Sequence, residues 1–398
     1  METGNKKRVV YLVPEFPRIS ETFIEREVAQ LIDWGKLDIT VLALAKATGS
    51  TSEKVLARTI YRRINLPDLL GGLFYLITKP GKVMKAWRQA SAINPYFFAK
   101  SLGYTKIIAG LKPQHLHAHF FSWPSTIALI ASTILDLPFS VSAHARDVFL
   151  ESELLTQKIN SAKFVSICNS AARSKALELA GPGVDESKVK LIYHGVNPKL
   201  FTEPAAKPKW NVPAIFLGGT RLVEKKGLKY MIEASKLLHD KGIAHRVDLV
   251  GPGELYQELK NMITDLNLSE VVYLHGNGKG TPFNEVLEFY KLADIFVLPS
   301  IETGEGDADG VPTVCIEAAM AKLPIITTNA GGITDLIEDG VTGLIVAQKD
   351  PEAIATAIQK LLADKVLADQ LAQNAYHKAG QMFNIAQNIG ALEQLLLA

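Results

Sequence analysis

Two basic side chains lie in a loop bounded by glycines, GGTRLVEKKG at residues 218–227, which directly follows a short apolar run. Glycine lets a backbone approach a ligand closely, while Arg grips phosphate oxygens bidentately and Lys adds a compact charge. Arg221 and Lys226 are five residues apart and would suit a diphosphate bound against Gly219. The alternative is a surface loop with two solvated bases. The glycines directly after the apolar run favour a phosphate site.

Two further glycine pairs follow apolar runs, but each is a weaker signal. In GPGE, residues 251–254, Gly253 opens what we expect to be a helix, and a plain turn explains the pattern equally well. In NAGGITDLI, residues 329–337, Gly331 and Gly332 precede a predicted short helix, whose unpaired backbone N–H groups would point towards an anion. A plain turn again competes.

An acidic loop, IETGEGDADG at residues 301–310, runs into an apolar helix that carries a single carboxylate, Glu317. Asp307 and Asp309 form an Asp-x-Asp pair, which can hold a divalent cation beneath a nucleotide diphosphate. Against this interpretation, Arg221 and Lys226 already supply cations, and the N-terminus of the following helix adds a positive dipole. We therefore expect no metal there.

Histidines mark two places in the first half of the chain. In SAHARDVF, residues 142–149, His144 and Asp147 follow an apolar run, so we expect both at the edge of a sheet that carries the site, with Asp147 on its acceptor side. In HLHAHF, the histidines at 115, 117 and 119 share one face of a predicted strand. Three imidazoles can ligate zinc, but ligands this close on one strand rarely converge, and no Cys or acidic residue adjoins them. We expect no metal here either.

The segment PEFPRISETFIEREV, residues 14–28, follows the first apolar run and is expected to cover the acceptor side of the site. Arg18 in this segment either binds an anionic acceptor or is solvated. The sequence leaves both possibilities open.

These motifs need elements that bring them to one edge. Short, nearly continuous apolar runs alternate with amphipathic helical segments, about six times in each half, which is typical of parallel sheets covered on both faces. We predict an α/β chain of two doubly wound Rossmann-like domains, residues 1–205 and 206–380, facing each other across a cleft. In such sheets ligands bind beyond the carboxyl ends of the strands, which is where the motifs fall.

Composition excludes several classes of protein. The 398 residues are 47% hydrophobic with ordinary Gly and Pro content, which excludes disordered and fibrous chains. Cys168 and Cys315 cannot form a disulfide framework and favour a reduced, cytoplasmic compartment. No signal peptide is apparent, and the longest apolar run, LLGGLFYLI at residues 69–77, is well short of the roughly 20 residues that span a bilayer.

Charge is divided unevenly along the chain. Residues 1–200 carry 26 Lys and Arg against 16 Asp and Glu, a net charge of +10, and the remainder carries 17 against 25, or −8. Residues 54–112 hold 11 basic side chains, interleaved with aromatic residues, against the single acid Asp68. This stretch is either a solvated face or a surface for an anionic membrane or acceptor. Nucleic acid is not expected, because no recognised binding motif accompanies the charge.

Taken together, GGTRLVEKKG, the D-x7-E of DGVPTVCIE, EAAMAKLPIITTNAGGITDLIEDGVTGLIV, KVKLIYHGVNPKLF and SAHARDVF resemble the retaining glycosyltransferases of family 4, which have the GT-B fold. The resemblance covers almost the whole chain and is strongest from about residue 139 to 347. The opening FPRISETFIEREV resembles a branch that builds bacterial exopolysaccharides such as colanic acid.

The resemblance implies roles for particular residues. Glu317 would bind the ribose hydroxyls, and Arg221 and Lys226 would bind the diphosphate. His144 would lie over the donor sugar. Asp309 would lie beside that sugar, at a place where the family normally has Glu. The backbone that meets the sugar hydroxyls would belong to Gly310, Val311, Pro312 and Thr313. A C-terminal helix beginning near residue 380 would pack back onto the first domain.

The function implied is metal-independent transfer of a hexose-type sugar, with retention, from a UDP- or GDP-linked donor to a hydroxyl of a glycan or lipid-linked acceptor. No cofactor is expected. The protein would be cytoplasmic, with the basic stretch allowing peripheral association at the inner face of the cytoplasmic membrane. Two alternatives stay open: a sugar-nucleotide epimerase of the same fold, and a non-catalytic subunit that binds sugar nucleotide.

Overall fold

The structure is a computed structural model that describes residues 6–18, 21–49, 51–144, 147–148, 153–202, 211–303 and 310–398. The chain divides into two compact units. Unit 1 is Met1–Tyr193 together with Ala386–Ala398, and unit 2 is His194–Ile385. The division at residue 193 precedes the predicted domain boundary near residue 205.

Unit 1 is built on a parallel sheet of seven strands in the order β3-β2-β1-β4-β5-β6-β7. The strands are β1 (Lys7–Phe16), β2 (Leu37–Lys46), β3 (Thr59–Tyr61), β4 (His115–His119), β5 (Phe139–Ala143), β6 (Val165–Ile167) and β7 (Val189–Leu191). The central strands β4 and β5 are buried along their whole length, although His or Ser alternates with apolar residues in both strands. The sequence pattern missed β3, whose three residues lie between basic side chains and are not buried.

The helices of unit 1 cover both faces of this sheet. They are α1 (Thr22–Trp34), α2 (Glu53–Leu56), α3 (Leu66–Leu73), α4 (Tyr75–Thr78), α5 (Pro80–Gln89), α6 (Pro95–Leu111), α7 (Trp123–Leu135), α8 (Leu155–Ser161) and α9 (Ser170–Ala180). Helices α3 and α6 pack closely enough that a Cβ on Gly72 would lie 2.4 Å from the backbone nitrogen of Gly103. Glycine at position 72 therefore allows α3 to lie against α6.

Unit 2 has a parallel sheet of six strands in the order β10-β9-β8-β11-β12-β13. The strands are β8 (Ala214–Gly218), β9 (Arg246–Val250), β10 (Val272–His275), β11 (Ile295–Leu298), β12 (Ile325–Thr328) and β13 (Leu344–Val346). The helices are α10 (Leu228–Asp240), α11 (Tyr256–Asp265), α12 (Phe283–Leu292), α13 (Thr313–Met320), α14 (Pro351–Ala363) and α15 (Lys365–Met382). In each sheet the strand order reverses at a central pair of parallel strands, β1/β4 in unit 1 and β8/β11 in unit 2. Doubly wound folds bind their ligands beside such a pair.

The last helix, α16 (Ile385–Leu397), belongs almost entirely to unit 1. Lys7 Nζ donates to the carbonyl of Leu396 at 2.6 Å, and Lys36 Nζ lies 2.7 Å from the buried carboxylate of Glu393. These contacts fix the end of the chain beside the starts of β1 and β2. No helix in the described part of the chain is long and apolar enough to cross a membrane.

Candidate functional site

The loop at residues 218–227 is fixed by backbone contacts at the carboxyl edge of the sheet in unit 2. Leu222 N donates to Pro252 O at 2.7 Å, and Ile301 N donates to Lys225 O at 2.9 Å, so the loop is bonded to the ends of both β9 and β11. Gly227 has φ +64, and a Cβ there would lie 1.9 Å from Pro299 O. The loop is therefore held in place by its own backbone bonds and by close packing.

The two predicted phosphate-binding cations differ in environment. Arg221 is exposed and has no ion-pair partner among the residues that the structure describes. Lys226, at the end of a short 3-10 turn, is only 6% exposed. One cation is thus accessible to solvent, while the other is held in place by packing.

Close packing explains why glycine occupies positions 251 and 253, which the sequence alone does not show. A Cβ on Gly253, whose φ is +159, would lie 2.4 Å from Leu222 O, and one on Gly251 would lie 1.8 Å from Thr220 O. Both glycines let the turn after β9 press against the 218–227 loop. The donor-binding role expected for Gly253 stays a prediction, and its observed contact is with the loop backbone.

Glu317 is a buried carboxylate at the same edge. It lies on α13 and is 4% exposed, and its Oε2 accepts a hydrogen bond at 2.9 Å from the hydroxyl of Tyr290 on α12. A Cβ on Gly219 would lie 3.1 Å from that same hydroxyl and 3.3 Å from Val314. Gly219 and Glu317, nearly 100 residues apart, therefore meet through Tyr290, which sequence reasoning missed because a tyrosine in an amphipathic helix carries no motif.

The remaining predicted donor-binding residues lie between β11 and α13. Gly310 and Val311 precede Pro312, and α13 begins at Thr313. Asp309 and Asp307 lie outside the described residues. The double glycine after β12 forms a 3-10 helix, Gly331–Asp335, where the sequence predicted a short helix.

A cavity of about 460 Å³ opens at the end of β10, lined by Arg246, His275, Gly276 and Phe289 among others. Beneath it the buried carboxylate of Asp248 accepts bonds from Arg246 Nε at 2.9 Å and from His275 Nε2 at 2.8 Å. Asp248 thereby fixes the side chain of His275, which precedes Gly276.

In unit 1, His144 and Asp147 follow β5 and both are buried. The Asp147 carboxylate accepts from the backbone nitrogen of Phe121 at 2.5 Å and from that of His144 at 2.7 Å. It thereby ties the segment after β4 to the segment after β5. The Asp147 carboxylate therefore supports the backbone at His144, and its expected place on the acceptor side of the site stays a prediction.

Arg18 lies between two carboxylates. Its guanidinium is 3.5 Å from Glu15 and 3.2 Å from Glu21, and its side chain is nearly half exposed. An anionic acceptor would have to compete with both, so the alternative of a solvated, paired Arg18 gains support.

The three histidines of β4 are fully buried in a polar ladder. His115 Nε2 and His117 Nδ1 each lie 2.7 Å from Ser140 Oγ, and His117 Nε2 lies 3.0 Å from Ser142 Oγ. Burial, followed by the charges of Lys7 and Lys163, lowers the pKa of His115 to about 3. Burial likewise holds the pKa of His117 well below its usual range.

One group of side chains in unit 1 could hold a metal ion. Glu27, His117 and His119 each offer a ligand atom, and these atoms lie within 4.8 Å of one another. We expected no acidic residue beside these histidines. In the folded chain Glu27 lies beside His117 and His119, so this expectation was wrong. Glu27 comes from α1, a different element, and nothing in the sequence signals the contact.

The comparisons with known proteins agree with this fold. Residues 202–378 match the model of the family Glycosyl transferases group 1, so the chain carries a domain of that family. The two Rossmann-like parallel sheets, and the similarity to solved glycosyltransferase structures along almost the whole chain, confirm the predicted GT-B fold.

Among relatives, the chain is 27% identical over 398 residues to the amylovoran biosynthesis glycosyltransferase AmsK of Erwinia amylovora, covering 89% of this chain and 90% of AmsK. It is also 27% identical to the putative colanic acid biosynthesis glycosyltransferase WcaL of Escherichia coli (strain K12), covering 98% of this chain and all of WcaL. The predicted resemblance to exopolysaccharide glycosyltransferases is confirmed.

Among solved structures, a glycosyltransferase from Rickettsia africae superposes with a TM-score of 0.72 at 19% identity over 99% of this chain and 98% of that one. Anabaena HepE, crystallised in complex with UDP, superposes with a TM-score of 0.70 at 18% identity over 98% and 99% of the two chains. These similarities concern the fold.

Proposed function

We propose that this protein is a retaining glycosyltransferase that moves a hexose-type sugar from a nucleoside diphosphate donor to a hydroxyl of a glycan or lipid-linked acceptor. The observation that carries the proposal is the 218–227 loop, which is fixed at the carboxyl edge of the sheet beside the buried Tyr290–Glu317 pair. The relatives' names favour exopolysaccharide synthesis as the setting.

Charge development explains the need for two cations. When the glycosidic bond breaks, the leaving diphosphate gains negative charge and the sugar becomes oxocarbenium-like. Arg221 and Lys226 would stabilise that growing charge, and a buried cation such as Lys226 needs little reorganisation as the reaction proceeds. An exposed Arg221 is accessible to an incoming diphosphate.

The donor's other parts have candidate partners at the same edge. Glu317 would bind the ribose hydroxyls, with Tyr290 orienting its carboxylate. Residues 310–313 would meet the sugar hydroxyls, and Asp309 would lie beside the sugar. His144 of unit 1 would face the sugar, braced by Asp147. UDP and GDP stay equally possible as donor nucleotides. HepE was crystallised with UDP, which supports including UDP-sugars in any donor screen.

The test is transfer activity of Arg221→Ala with the donor found by a thermal-shift screen of sugar nucleotides. We expect a loss of roughly a hundredfold or more, as for removal of one transition-state charge partner. Lys229→Ala, which removes an exposed cation from the neighbouring helix α10, is the control and should retain activity. Near-normal turnover of the Arg221 variant would remove this residue from the mechanism.

The same assay separates the alternatives. Isomerised sugar nucleotide formed without an acceptor would identify an epimerase. Tight binding without turnover across a broad acceptor panel would identify a non-catalytic subunit. Transfer that survives EDTA would support the metal-independent mechanism, whereas loss restored by Mn²⁺ would favour a cation at Asp307 and Asp309.

A membrane-facing surface is the second part of the proposal. Large apolar side chains are exposed along α3 to α6 of unit 1: Leu66, Leu70, Phe74, Leu76, Ile77, Met84, Tyr96 and Phe97. Arg63, Lys85, Arg88 and Lys106 in the same stretch have no ion-pair partner in the described ranges. Exposed apolar groups beside unpaired cations fit peripheral binding to an anionic bilayer, where a lipid-linked acceptor would reside.

Two lysines in this stretch already have partners within the protein and are less able to contact a membrane. Lys82 pairs with Asp136, and Lys79 Nζ donates to Ile134 O at 3.0 Å. The informative charge variant is therefore Lys85→Glu/Arg88→Glu, which leaves those contacts intact. Each cation near an anionic surface contributes about 1 kcal/mol, so the double reversal should weaken binding by roughly tenfold or more.

The assay is cosedimentation with phosphatidylglycerol vesicles, compared with neutral phosphatidylcholine vesicles. Ile77→Asp and Val366→Asp form a matched apolar pair, because these side chains are 77% and 79% exposed but lie in different units. Only Ile77→Asp should weaken binding. If both apolar variants and the double charge reversal bind the anionic vesicles as tightly as the wild type does, this stretch is a solvated face.

A further inference from the structure

His144 is enclosed by three rings. Phe23 and Phe120 lie 4.5 Å and 4.6 Å from it, centroid to centroid. The ring of His119 stacks parallel to it, with an interplanar angle of 6°, and His119 Nδ1 lies 3.3 Å from His144 Nε2. The orientation of His144 is thus coupled directly to His119.

A carboxylate lies on the far side of His119. His119 Nε2 is 3.4 Å from Glu27 Oε1, with His119 fully buried and the Glu27 side chain only 12% exposed. Neither atom has a hydrogen-bond partner among the described residues. Burial and the Glu27 charge raise the pKa of neighbouring Tyr11 well above its usual range, so that phenol stays protonated.

We propose that Glu27 and His119 are positioning residues that fix the tautomer and orientation of His144. An ionised carboxylate can only accept, so His119 carries its proton on Nε2, facing Glu27. With a single proton on the His119 ring, its Nδ1 is bare and accepts from His144 Nε2–H. His144 Nδ1 is consequently its unprotonated nitrogen.

One face of helix α1 provides both the ring that packs on His144 and the carboxylate beside His119. Phe23 and Glu27 are four residues apart, one helical turn, so the same face of α1 packs Phe23 on His144 and aims Glu27 at His119. The segment that begins ETFIERE therefore has a role in supporting the site. The proposal rests on the proposed function only in that His144 serves the donor sugar.

A metal ion at Glu27, His117 and His119 is the competing interpretation. Both ring nitrogens of His117 already pair with serine hydroxyls, at 2.7 Å and 3.0 Å. Tyr11 is held neutral by burial and is a poor ligand. Glu27 and His119 alone fall short of the three or four protein ligands of typical zinc sites.

The kinetic test compares Glu27→Gln with Glu25→Gln. The amide introduced by Glu27→Gln can donate to His119 Nε2 and so reverse the tautomers, and we expect kcat to fall roughly 10- to 100-fold with the donor KM nearly unchanged. Glu25 lies on the same helix and accepts from Ser52 Oγ at 2.8 Å, so its variant controls for loss of a helix carboxylate and should turn over normally. Equal kcat values for the two variants would overturn the proposal.

A double-mutant cycle tests whether Glu27 acts through His119. If it does, Glu27→Gln/His119→Asn will have the kcat of His119→Asn alone. Additive losses would overturn the proposal. A merely structural role would lower the melting temperature of each variant without this coupling in kcat.

A spectroscopic readout is independent of any substrate. Two-bond ¹H–¹⁵N spectra of protein labelled at histidine distinguish the two neutral tautomers, with His144→Gln and His119→Asn for assignment. We expect His144 to carry its proton on Nε2 in the wild type and on Nδ1 in Glu27→Gln. An unchanged tautomer, or stoichiometric zinc in the purified protein, would overturn the proposal. Absence of any transferase activity would count against the proposed function alone.

Discussion

Glu317 depends on a residue that is distant from it in the chain. Its carboxylate is buried, and the hydroxyl of Tyr290 on α12 donates to it at 2.9 Å. A motif search finds Glu317, whereas its orientation is decided by a tyrosine 27 residues earlier. His144 likewise depends on a residue distant in the chain, because its Nε2 lies 3.3 Å from Nδ1 of His119, 25 residues earlier.

Tyr290→Phe should weaken donor binding. Hydrogen bonds to charged groups contribute roughly 1.5–3 kcal/mol, so the dissociation constant for the donor nucleotide should rise roughly 10- to 100-fold. Calorimetric titration with UDP and GDP measures it. Tyr104→Phe removes a hydroxyl of unit 1 that donates to Arg62 O at 3.2 Å and is the control. Unchanged affinity in Tyr290→Phe would show that this bond does not orient a binding carboxylate.

At the scale of elements, the loop after β8 is shaped by its neighbours. Gly227 and Gly242 both have positive φ, +64 and +71, but a Cβ on Gly227 would lie 1.9 Å from Pro299 O, while nothing lies within 4 Å of one on Gly242. The two positions therefore share the same backbone strain and differ in packing.

Gly242→Ala should cost only the strain of a left-handed alanine, about 1 kcal/mol. Gly227→Ala adds a backbone clash, so it should lower the melting temperature further and also weaken donor binding, because the loop carrying Arg221 and Lys226 must shift. Thermal denaturation with and without nucleotide measures both effects. Similar results for the two variants would mean that the loop tolerates displacement.

The histidine ladder of β4 and β5 makes stability depend on pH. His115 stays neutral in the folded protein down to about pH 3, while an unfolded histidine protonates near pH 6.5. The unfolded state therefore binds more protons below pH 6.5, and stability is lost as the pH falls from there. Each such histidine contributes a slope of up to about 1.4 kcal/mol per pH unit.

Urea unfolding between pH 7 and pH 4.5 measures this slope. His115→Gln keeps a polar group opposite Ser140 and removes one titrating site, so its slope should be shallower than that of the wild type by up to about 1.4 kcal/mol per pH unit. His377→Gln changes an exposed histidine of α15 and should leave the slope unchanged. If the free energy of unfolding of His115→Gln has the same pH slope as that of the wild type, His115 does not contribute to the loss of stability in acid.

At the scale of the whole molecule, the chain returns to its first unit at the end. The carboxylate of Glu393 on α16 is buried and pairs with Lys36 at 2.7 Å. Lys36→Ala leaves a buried carboxylate without this cation and should cost about 1–3 kcal/mol. Lys175→Ala breaks a 2.8 Å pair with the exposed Glu178 and should cost at most about 1 kcal/mol. Equal losses by chemical denaturation would mean that α16 contributes little to unit 1.

Hydrophobic pattern predicted most of the architecture. Apolar runs separated by amphipathic segments specify buried parallel strands, because a strand covered on both faces carries mostly apolar side chains. Strand β3 was missed for the same reason, since an edge strand with exposed residues has no such pattern. The positions of the 218–227 loop, His144 and Glu317 followed from their place after strands.

The sequence by itself determined the fold class, the motif residues and the edge of each sheet at which they lie. Hydrophobic periodicity, and the succession of strands and helices along the chain, are local properties. Only the tertiary structure decided which groups meet: Tyr290 with Glu317, Glu27 with His119, and Asp147 with the backbone of Phe121. These pairs join different elements, or loops that packing positions, and depend on distances of a few ångströms. Such distances are set by how helices pack on sheets, which no spacing along one chain encodes.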